Sequence, residues 1–272
     1  MKNFLVLLIL FATLAFAACE KSGPNEPNTA ESNKETAESK TPEQRLTEDG
    51  FVPSGVGTEK EKPSAGKANV QGQVLFNEKP VEGIEVKLCE KFNTFSGCSG
   101  QQLTTKTDSG GEYLFKDVEP KVYEGLLARV FNTQSSIFIS RSFGISAAKY
   151  KFEADKTFFA PATNLFKSDL KTINPKQKGK VDAGELEIKW ESYPDAAYYK
   201  FSLYPAETSV TSPYIGERVE GESFKADKPL PAGGYRLKME AYNANDVKLA
   251  ESKDVEFTVT GGETAPANSE EK

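Results

Sequence analysis

The sequence predicts an all-β protein, with two tandem antiparallel β-sandwiches after a signal peptide and a disordered tether. Apolar and polar residues alternate in short runs from residue 69 onward, which is the period of a strand with one buried face. Turn signals rich in Gly, Pro, Asn and Asp separate these runs. The stretch before residue 67 instead combines one apolar run with a long polar segment.

The first eighteen residues have the pattern of a signal peptide. Met1–Asn3 carries a positive charge, and the run from Phe4 to Ala18 is apolar except for Thr13. A run of about fifteen residues is too short to cross a hydrocarbon core as a helix. A basic start, a short apolar core and small residues at its end are typical of export signals. We therefore expect residues 1–18 to be removed after export.

The end of this run, Leu14-Ala15-Phe16-Ala17-Ala18-Cys19, resembles the lipobox of bacterial lipoproteins. The resemblance implies cleavage before Cys19 and a lipid on its sulfur, although Phe16 stands where the family prefers an aliphatic residue. Ordinary cleavage after Ala17 is the alternative, and it would leave Cys19 as a free thiol. Lipidation would anchor the chain to the cell envelope through a membrane. Residue 20 is glutamate, whereas an aspartate at this position tends to retain lipoproteins at the inner membrane. The resemblance therefore favours the outer membrane, and it does not distinguish the periplasmic face from the surface face.

Residues 19–66 are predicted to form a disordered acidic linker. Between Cys19 and Gly50 the only apolar side chains are those of Ala30, Ala37 and Leu46. Such a segment buries too little apolar area to offset its ordering entropy. We expect it to act as a spacer.

Residues 67–168 are predicted to form the first sandwich. Its motifs are Gly72-x-Val74, Pro80-Val81-x-Gly83-x-x-Val86-x-Leu88 and Thr105-x-Thr107-Asp108-x-x-Gly111-x-Tyr113-x-Phe115-x-x-Val118-x-Pro120. Together they resemble the carboxypeptidase regulatory-like domain, which implies a transthyretin-like β-sandwich. The resemblance implies this fold and not a catalytic activity.

Cys89 and Cys98 lie in this domain, and an exported protein is expected to pair them as a disulfide. A metal site at the two cysteines is the alternative, but the chain has no histidine and no further cysteine to complete it. Phe92 and Phe95 lie between the cysteines and are the candidate partner-binding residues. The alternative is that both rings fold back over one end of the sandwich.

Residues 178–261 are predicted to form the second sandwich, followed by a disordered tail at 262–272. The residues Trp190, Pro194, Ala197 and Leu230-Pro231-x-Gly233-x-Tyr235 resemble a fibronectin type III domain. The resemblance implies a buried Trp190 and a Tyr235 hydroxyl bonded to backbone upstream. The aromatic residues from Tyr193 to Tyr204 suggest either a carbohydrate-stacking platform or alternate burial, with one of Tyr198 and Tyr199 facing water.

Composition narrows the functions that the chain can have. The absence of histidine excludes Ser-His-Asp and Cys-His catalysis and every His-ligated metal. A net charge of −6 argues against nucleic acid as a partner. We expect a non-enzymatic, lipid-anchored envelope protein that needs no cofactor or metal and whose sandwiches bind a protein or a glycan or act as spacers. The alternatives are an accessory subunit that tethers a separate envelope hydrolase or transporter, and a carboxylate-based glycosidase.

Overall fold

The structure is a computed structural model that describes residues 50–140, 147–207, 211–212 and 214–261. The signal peptide, Cys19, most of the linker and the tail at 262–272 lie outside these residues. Within them every regular element is a β-strand, so the predicted all-β class is confirmed. No helix in this part of the chain is long and apolar enough to cross a bilayer.

The described residues of the first sandwich form eleven strands. They are β1 (Ala68–Phe76), β2 (Lys79–Pro80), β3 (Glu85–Asn93), β4 (Gly97–Lys106), β5 (Glu112–Val118), β6 (Val122–Glu124), β7 (Leu126–Arg129), β8 (Ser136–Phe138), β9 (Lys149–Lys151), β10 (Lys156–Phe159) and β11 (Thr163–Leu165).

Strand β1 is the centre of one sheet. It pairs antiparallel with β2 and β5 on one side and parallel with β10 and β11 on the other. The second sheet has the order β4-β3-β7-β8, and β6 pairs with β9. The alternate apolar side chains of β1, β3 and β5 point between the sheets and build a core with aromatic residues such as Tyr113, Tyr150 and Phe158. This packing of two half-buried faces is what the alternating sequence predicted.

In the second sandwich, ten strands lie within the part of the chain that the structure describes. They are β12 (Lys167–Leu170), β13 (Thr172–Asn174), β14 (Gly179–Asp182), β15 (Glu187–Trp190), β16 (Tyr198–Pro205), β17 (Glu217–Val219), β18 (Ser223–Lys225), β19 (Gly233–Tyr242), β20 (Lys248–Ser252) and β21 (Val255–Thr260).

The core of the second sandwich surrounds Trp190. Its indole is 2% exposed and lies 5.3 Å from the ring of Tyr199, centroid to centroid. The Tyr235 hydroxyl donates a hydrogen bond to the carbonyl oxygen of Pro231 at 3.0 Å, which is the upstream backbone contact that the fibronectin-like motif implies. The three-stranded sheet β13-β15-β18 faces a larger sheet built on β16, β19, β20 and β21.

The sheets are mixed and not purely antiparallel. Among the described strands, β1–β10, β1–β11, β12–β20 and β14–β21 pair in parallel. Parallel partners lie far apart in sequence. Alternation of residue types specifies only which face of a strand is buried, and it carries no information about strand direction.

The boundary between the sandwiches lies earlier than the sequence suggested. Strand β11 ends at Leu165 in the first sheet, and β12 begins at Lys167 beside β20 of the second. Only Phe166 separates the two, so residues 169–177, which the predicted domain bounds left between the sandwiches, belong to strands and turns of the second sandwich. Pro175 lies in the turn between β13 and β14, and Gly179 begins β14.

Residues 50–66, which we call the strap, correct the predicted extent of the disordered linker. The Val52 N–H donates to the Lys149 carbonyl at 2.8 Å, and the Gly55 N–H donates to the Phe159 carbonyl at 2.8 Å. Further along, the Lys60 N–H donates to Oε1 of Gln71 at 3.1 Å. The strap is polar in composition, but polar groups of the first sandwich satisfy its backbone. Composition alone therefore gave the wrong expectation for this segment.

Candidate functional site

The candidate site is the hairpin formed by β3 and β4, which holds the two predicted aromatic residues. Its turn is shaped by Asn93, whose side-chain oxygen accepts hydrogen bonds from the N–H groups of Phe95 at 2.8 Å and Ser96 at 3.2 Å. Gly97 follows with φ of 77°, a left-handed conformation that glycine adopts without a steric penalty. These local bonds fix the turn, so its tip is presented in one conformation.

A disulfide between Cys89 and Cys98 joins the two strands of this hairpin. The Cα atoms lie 5.5 Å apart, within the usual range for a bridge. The bridge excludes the alternative in which both thiolates bind a metal, because each sulfur is consumed. It also adds a covalent closure next to the turn.

Phe92 folds back onto the sandwich. Its ring lies edge-on against Phe138, with centroids 4.8 Å apart, and its Cβ lies 3.2 Å from where a Cβ on Gly125 would be placed. The absence of a side chain at Gly125 gives this ring its space. Phe92 therefore follows the alternative expectation, in which the ring folds back over the sandwich.

Phe95 does the opposite and points away from the body. The residue is 91% exposed at the tip of the hairpin. A large apolar side chain held outward by a closed turn is the arrangement that the partner-binding hypothesis requires. Of the two predicted candidates, only Phe95 is accessible to a partner, because Phe92 packs on Phe138 of the sandwich.

A cavity of about 290 Å³ opens beside the tip. It is lined by Phe92, Asn93, Thr94, Phe95, Glu124, Ala147 and Lys149. Glu124 and Lys149 face each other as register partners of β6 and β9. They lie 18 and 43 residues beyond the end of β4 in sequence, and no local motif marked them. Only the pairing of β6 with β9 brings them to the site.

The electrostatics around the hairpin are mixed. The backbone N–H of Gln101 hydrogen-bonds the Glu90 carboxylate, and Lys121 lies 3.0 Å from it; both lower the pKa of Glu90. Burial raises the pKa of the nearby Tyr123 hydroxyl to about 12, with contributions from Glu90 and Glu119. Beside the tip itself, the charged groups that line the cavity with Phe95 are Glu124 and Lys149, so an apolar anchor adjoins one acidic and one basic group.

The tyrosines from Tyr193 to Tyr204 do not form a continuous open platform, because only Tyr204 among them is exposed, at 37%, and the Arg236 guanidinium lies 5.2 Å from its ring centroid. Tyr198 is 1% exposed, because Tyr242 stacks on it with centroids 5.1 Å apart and the Arg218 guanidinium lies 3.7 Å from its ring centroid. Tyr198 was expected to face water if Tyr199 faced the core. It is instead covered from above by these two side chains, so its ring is not free to stack on a sugar.

The carboxyl groups offer little support for acid catalysis. Every carboxyl group of the described residues that has a shifted pKa is shifted downward, because hydrogen bonds from lysines, hydroxyls or backbone N–H groups outweigh burial. These groups are Glu90, Asp108, Asp117, Glu153, Asp227, Glu240 and Glu251. A general acid at neutral pH needs the opposite shift. Among the described residues, no group of three or more Asp, Glu, Cys or His side chains could hold a metal ion.

No protein-family model matches the chain, and no curated protein matches it. The chain shows a low similarity to a number of solved structures. Fibronectin(III)-like modules of Clostridium thermocellum CbhA share 12% identity over 35% of this chain and 98% of theirs, with a TM-score of 0.25. The chicken CNTN1 FN1-FN3 domains share 13% identity over 74% of this chain and 70% of theirs, with a TM-score of 0.28.

A DUF3823 family protein from Bacteroides ovatus shares 8% identity over 71% of this chain and 99% of its own, with a TM-score of 0.23. Likeness of this size supports no conclusion about activity or partners. The fold class rests on the strands themselves.

Proposed function

We propose that the chain is a non-enzymatic, lipid-anchored protein of the bacterial cell envelope that binds a partner protein through the β3–β4 hairpin. The observation that carries the proposal is the exposure of Phe95 at a turn closed by the Cys89–Cys98 bridge. A rigid aromatic anchor loses little conformational entropy on binding, which favours it as an interface hot spot. The anchor at Cys19 is proposed on its lipobox-like sequence alone.

A protein partner fits the site better than a glycan. Sugar stacking uses an open aromatic face, and the Tyr198 ring is already covered by Tyr242 and Arg218. Phe95 has no polar group for hydrogen bonds to hydroxyls, but it is flanked by a cavity with one acid and one base, Glu124 and Lys149. An apolar side chain of a partner can enter that cavity while its polar groups meet the rim.

The contacts between the sandwiches support a second role as a stiff spacer. Asn77 donates to Oδ2 of Asp195 at 2.9 Å, and Asn243 donates to Oδ1 of Asn77 at 2.8 Å. The Glu78 carboxylate accepts from Asn245 at 2.8 Å. The turn between β1 and β2 is therefore bonded to two turns of the second sandwich. With only one residue between β11 and β12, these bonds limit hinge motion and allow the body to hold its partner at a fixed distance.

The size of the native complex tests the binding role. Membranes containing the full chain are extracted in mild detergent and separated on a sucrose gradient. The wild-type protein is expected to migrate with a partner, and Phe95→Ser is expected to migrate alone. Val56→Ser is the matched control, since Val56 is fully exposed but lies on the strap. Equal migration of wild type and Phe95→Ser would refute the role of the hairpin.

A further inference from the structure

The outer face of the first sandwich is covered by the strap. Asn69 and Gln71 lie on the polar side of β1, where alternation predicts exposure to water, but they are 1% and 7% exposed. The strap runs from the edge of β10 across β1 to β5 and then turns back into β1. Its residues therefore occupy the place that a ligand lying across this sheet would take.

The face holds the strap mainly by its backbone. The Gln71 amide accepts from the Lys60 N–H at 3.1 Å and donates to the Thr58 carbonyl at 3.1 Å, which are the two bonds that a neighbouring strand would make. Asn69 donates to the Glu61 carbonyl at 2.8 Å. Contacts of this kind recognise an extended peptide regardless of most of its side chains.

At two positions of the strap, the face of the sandwich also selects the residue type. Lys60 Nζ lies between the carboxylates of Asp108 and Glu112, in contact with both. A Cβ on Gly57 would lie 2.5 Å from Cδ1 of Phe159, so this position requires glycine unless the ring moves. The pattern that fits the face is therefore a glycine followed three residues later by a lysine.

Apolar burial contributes little to the attachment of residues 54–61, because Val56 is fully exposed. Val52 differs, since it is 5% exposed and packs into the core of the first sandwich. A neutral hydrogen bond contributes only modestly because it replaces a bond to water, and a single exposed ion pair contributes less. Residues 54–61 therefore stay in place largely because both of their ends are fixed, one by Val52 and one by the covalent join to β1, which keeps their local concentration high.

We propose that the outer face of β1 and β5 is a binding site for extended lysine-bearing peptides, occupied in cis by residues 54–61. Gln71 and Asn69 hydrogen-bond to the backbone of the peptide, and the carboxylates of Asp108 and Glu112 bind its lysine. A peptide with the same pattern displaces the strap when the strap is weakened. The site is separate from the hairpin and does not depend on the lipid anchor.

A labelled peptide with the sequence of residues 52–63 tests the site on the full chain by fluorescence anisotropy. Binding to the wild-type chain is expected to be weak because the strap competes, which lowers apparent affinity by the fraction of open sites. Lys60→Ala in the protein should tighten binding about tenfold or more. Lys62→Ala, an exposed lysine two residues away, is the matched control and should behave as wild type.

Two further variants show where the peptide binds. A peptide in which the lysine equivalent to Lys60 is alanine should bind the Lys60→Ala chain at least about tenfold more weakly, because it cannot bridge the two carboxylates. Adding Gln71→Ala to the Lys60→Ala chain should have the same effect on the original peptide. Equal affinity of the original peptide for the wild-type, Lys60→Ala and Lys62→Ala chains would overturn the proposal, and so would no binding to any of these three. Unchanged binding after the alanine change in the peptide, or after the addition of Gln71→Ala, would overturn it as well.

Discussion

The ring of Phe92 lies edge-on against the ring of Phe138, with centroids 4.8 Å apart and planes at 82°. Three residues later, Phe95 is 91% exposed. Two aromatic residues of one disulfide-closed hairpin thus have different surroundings. One attaches the hairpin to the sandwich, and the other is available to a partner.

Alanine substitutions should separate these two roles. Phe92→Ala removes a half-buried ring and its edge-on contact, so the free energy of unfolding should fall by about 1–2 kcal/mol. Phe95→Ala should change it by less than about 0.5 kcal/mol, because an exposed ring contributes little to the folded state. Urea denaturation of both variants measures the difference. Equal destabilisation would mean that Phe95 packs on the body.

Loss of the disulfide should destabilise the first sandwich. Replacing both Cys89 and Cys98 by alanine frees a short loop in the unfolded chain, with a cost of about 3 kcal/mol. Wild type in reductant should approach the double variant, and the double variant itself should not respond to reductant. Mass spectrometry without reductant should find the two cysteines linked. Two thiols that alkylate in the native protein would contradict the bridge.

The strap should open in acid while the core persists. The pKa of Asp108 is lowered mainly by the hydrogen bond from Lys60, and the pKa of Lys60 is raised by Asp108 and then Glu112. The contribution of Asp108 is full above its unfolded pKa of about 3.9 and is lost as the pH falls through its lower folded value. The contribution of Lys60 is full below its unfolded pKa and is lost only as the pH rises through its higher folded value.

Hydrogen exchange, corrected for the intrinsic effect of pH, measures this opening. Protection of the Gly55 and Lys60 amides should be constant from about pH 5 to 9 and should fall below about pH 4. The Ile84 amide, which donates to the Thr107 hydroxyl inside the first sandwich, serves as the internal control. Loss of protection at Ile84 together with the strap would show unfolding of the first sandwich instead.

Cys19→Ala should release the protein from membranes. A single acyl chain binds a bilayer only marginally, whereas two or more hold a soluble body almost permanently. The variant is therefore expected in the soluble fraction of the envelope, while the wild type partitions into detergent. Persistent partitioning of the variant would refute lipidation at Cys19.

Much of the fold could be predicted from the sequence because alternation reports burial directly. The runs around Val70, Val86 and Leu237 fixed strand positions, and the Tyr235 motif indicated its bond to Pro231. The parallel pairs and the boundary at Phe166 could not be predicted, since they depend on partners far away in sequence. The same limit applies to the strap, whose order depends on amides across the sheet and not on its own composition.

The candidate site was predicted only in part. The cysteine pair and the two phenylalanines were visible because they are close in sequence. Which ring would turn outward depended on Phe138 and on the space left at Gly125, neither of which lies in the hairpin. Glu124 and Lys149 reach the cavity through the pairing of β6 with β9 and gave no local signal.

Site-specific photocrosslinking in the native envelope tests whether the hairpin tip contacts a partner protein. A photoreactive phenylalanine at position 95 should give one discrete protein adduct on irradiation. The same group at position 56 is matched in exposure and should not give that adduct. No adduct at position 95, or the same adduct at both positions, would contradict the account.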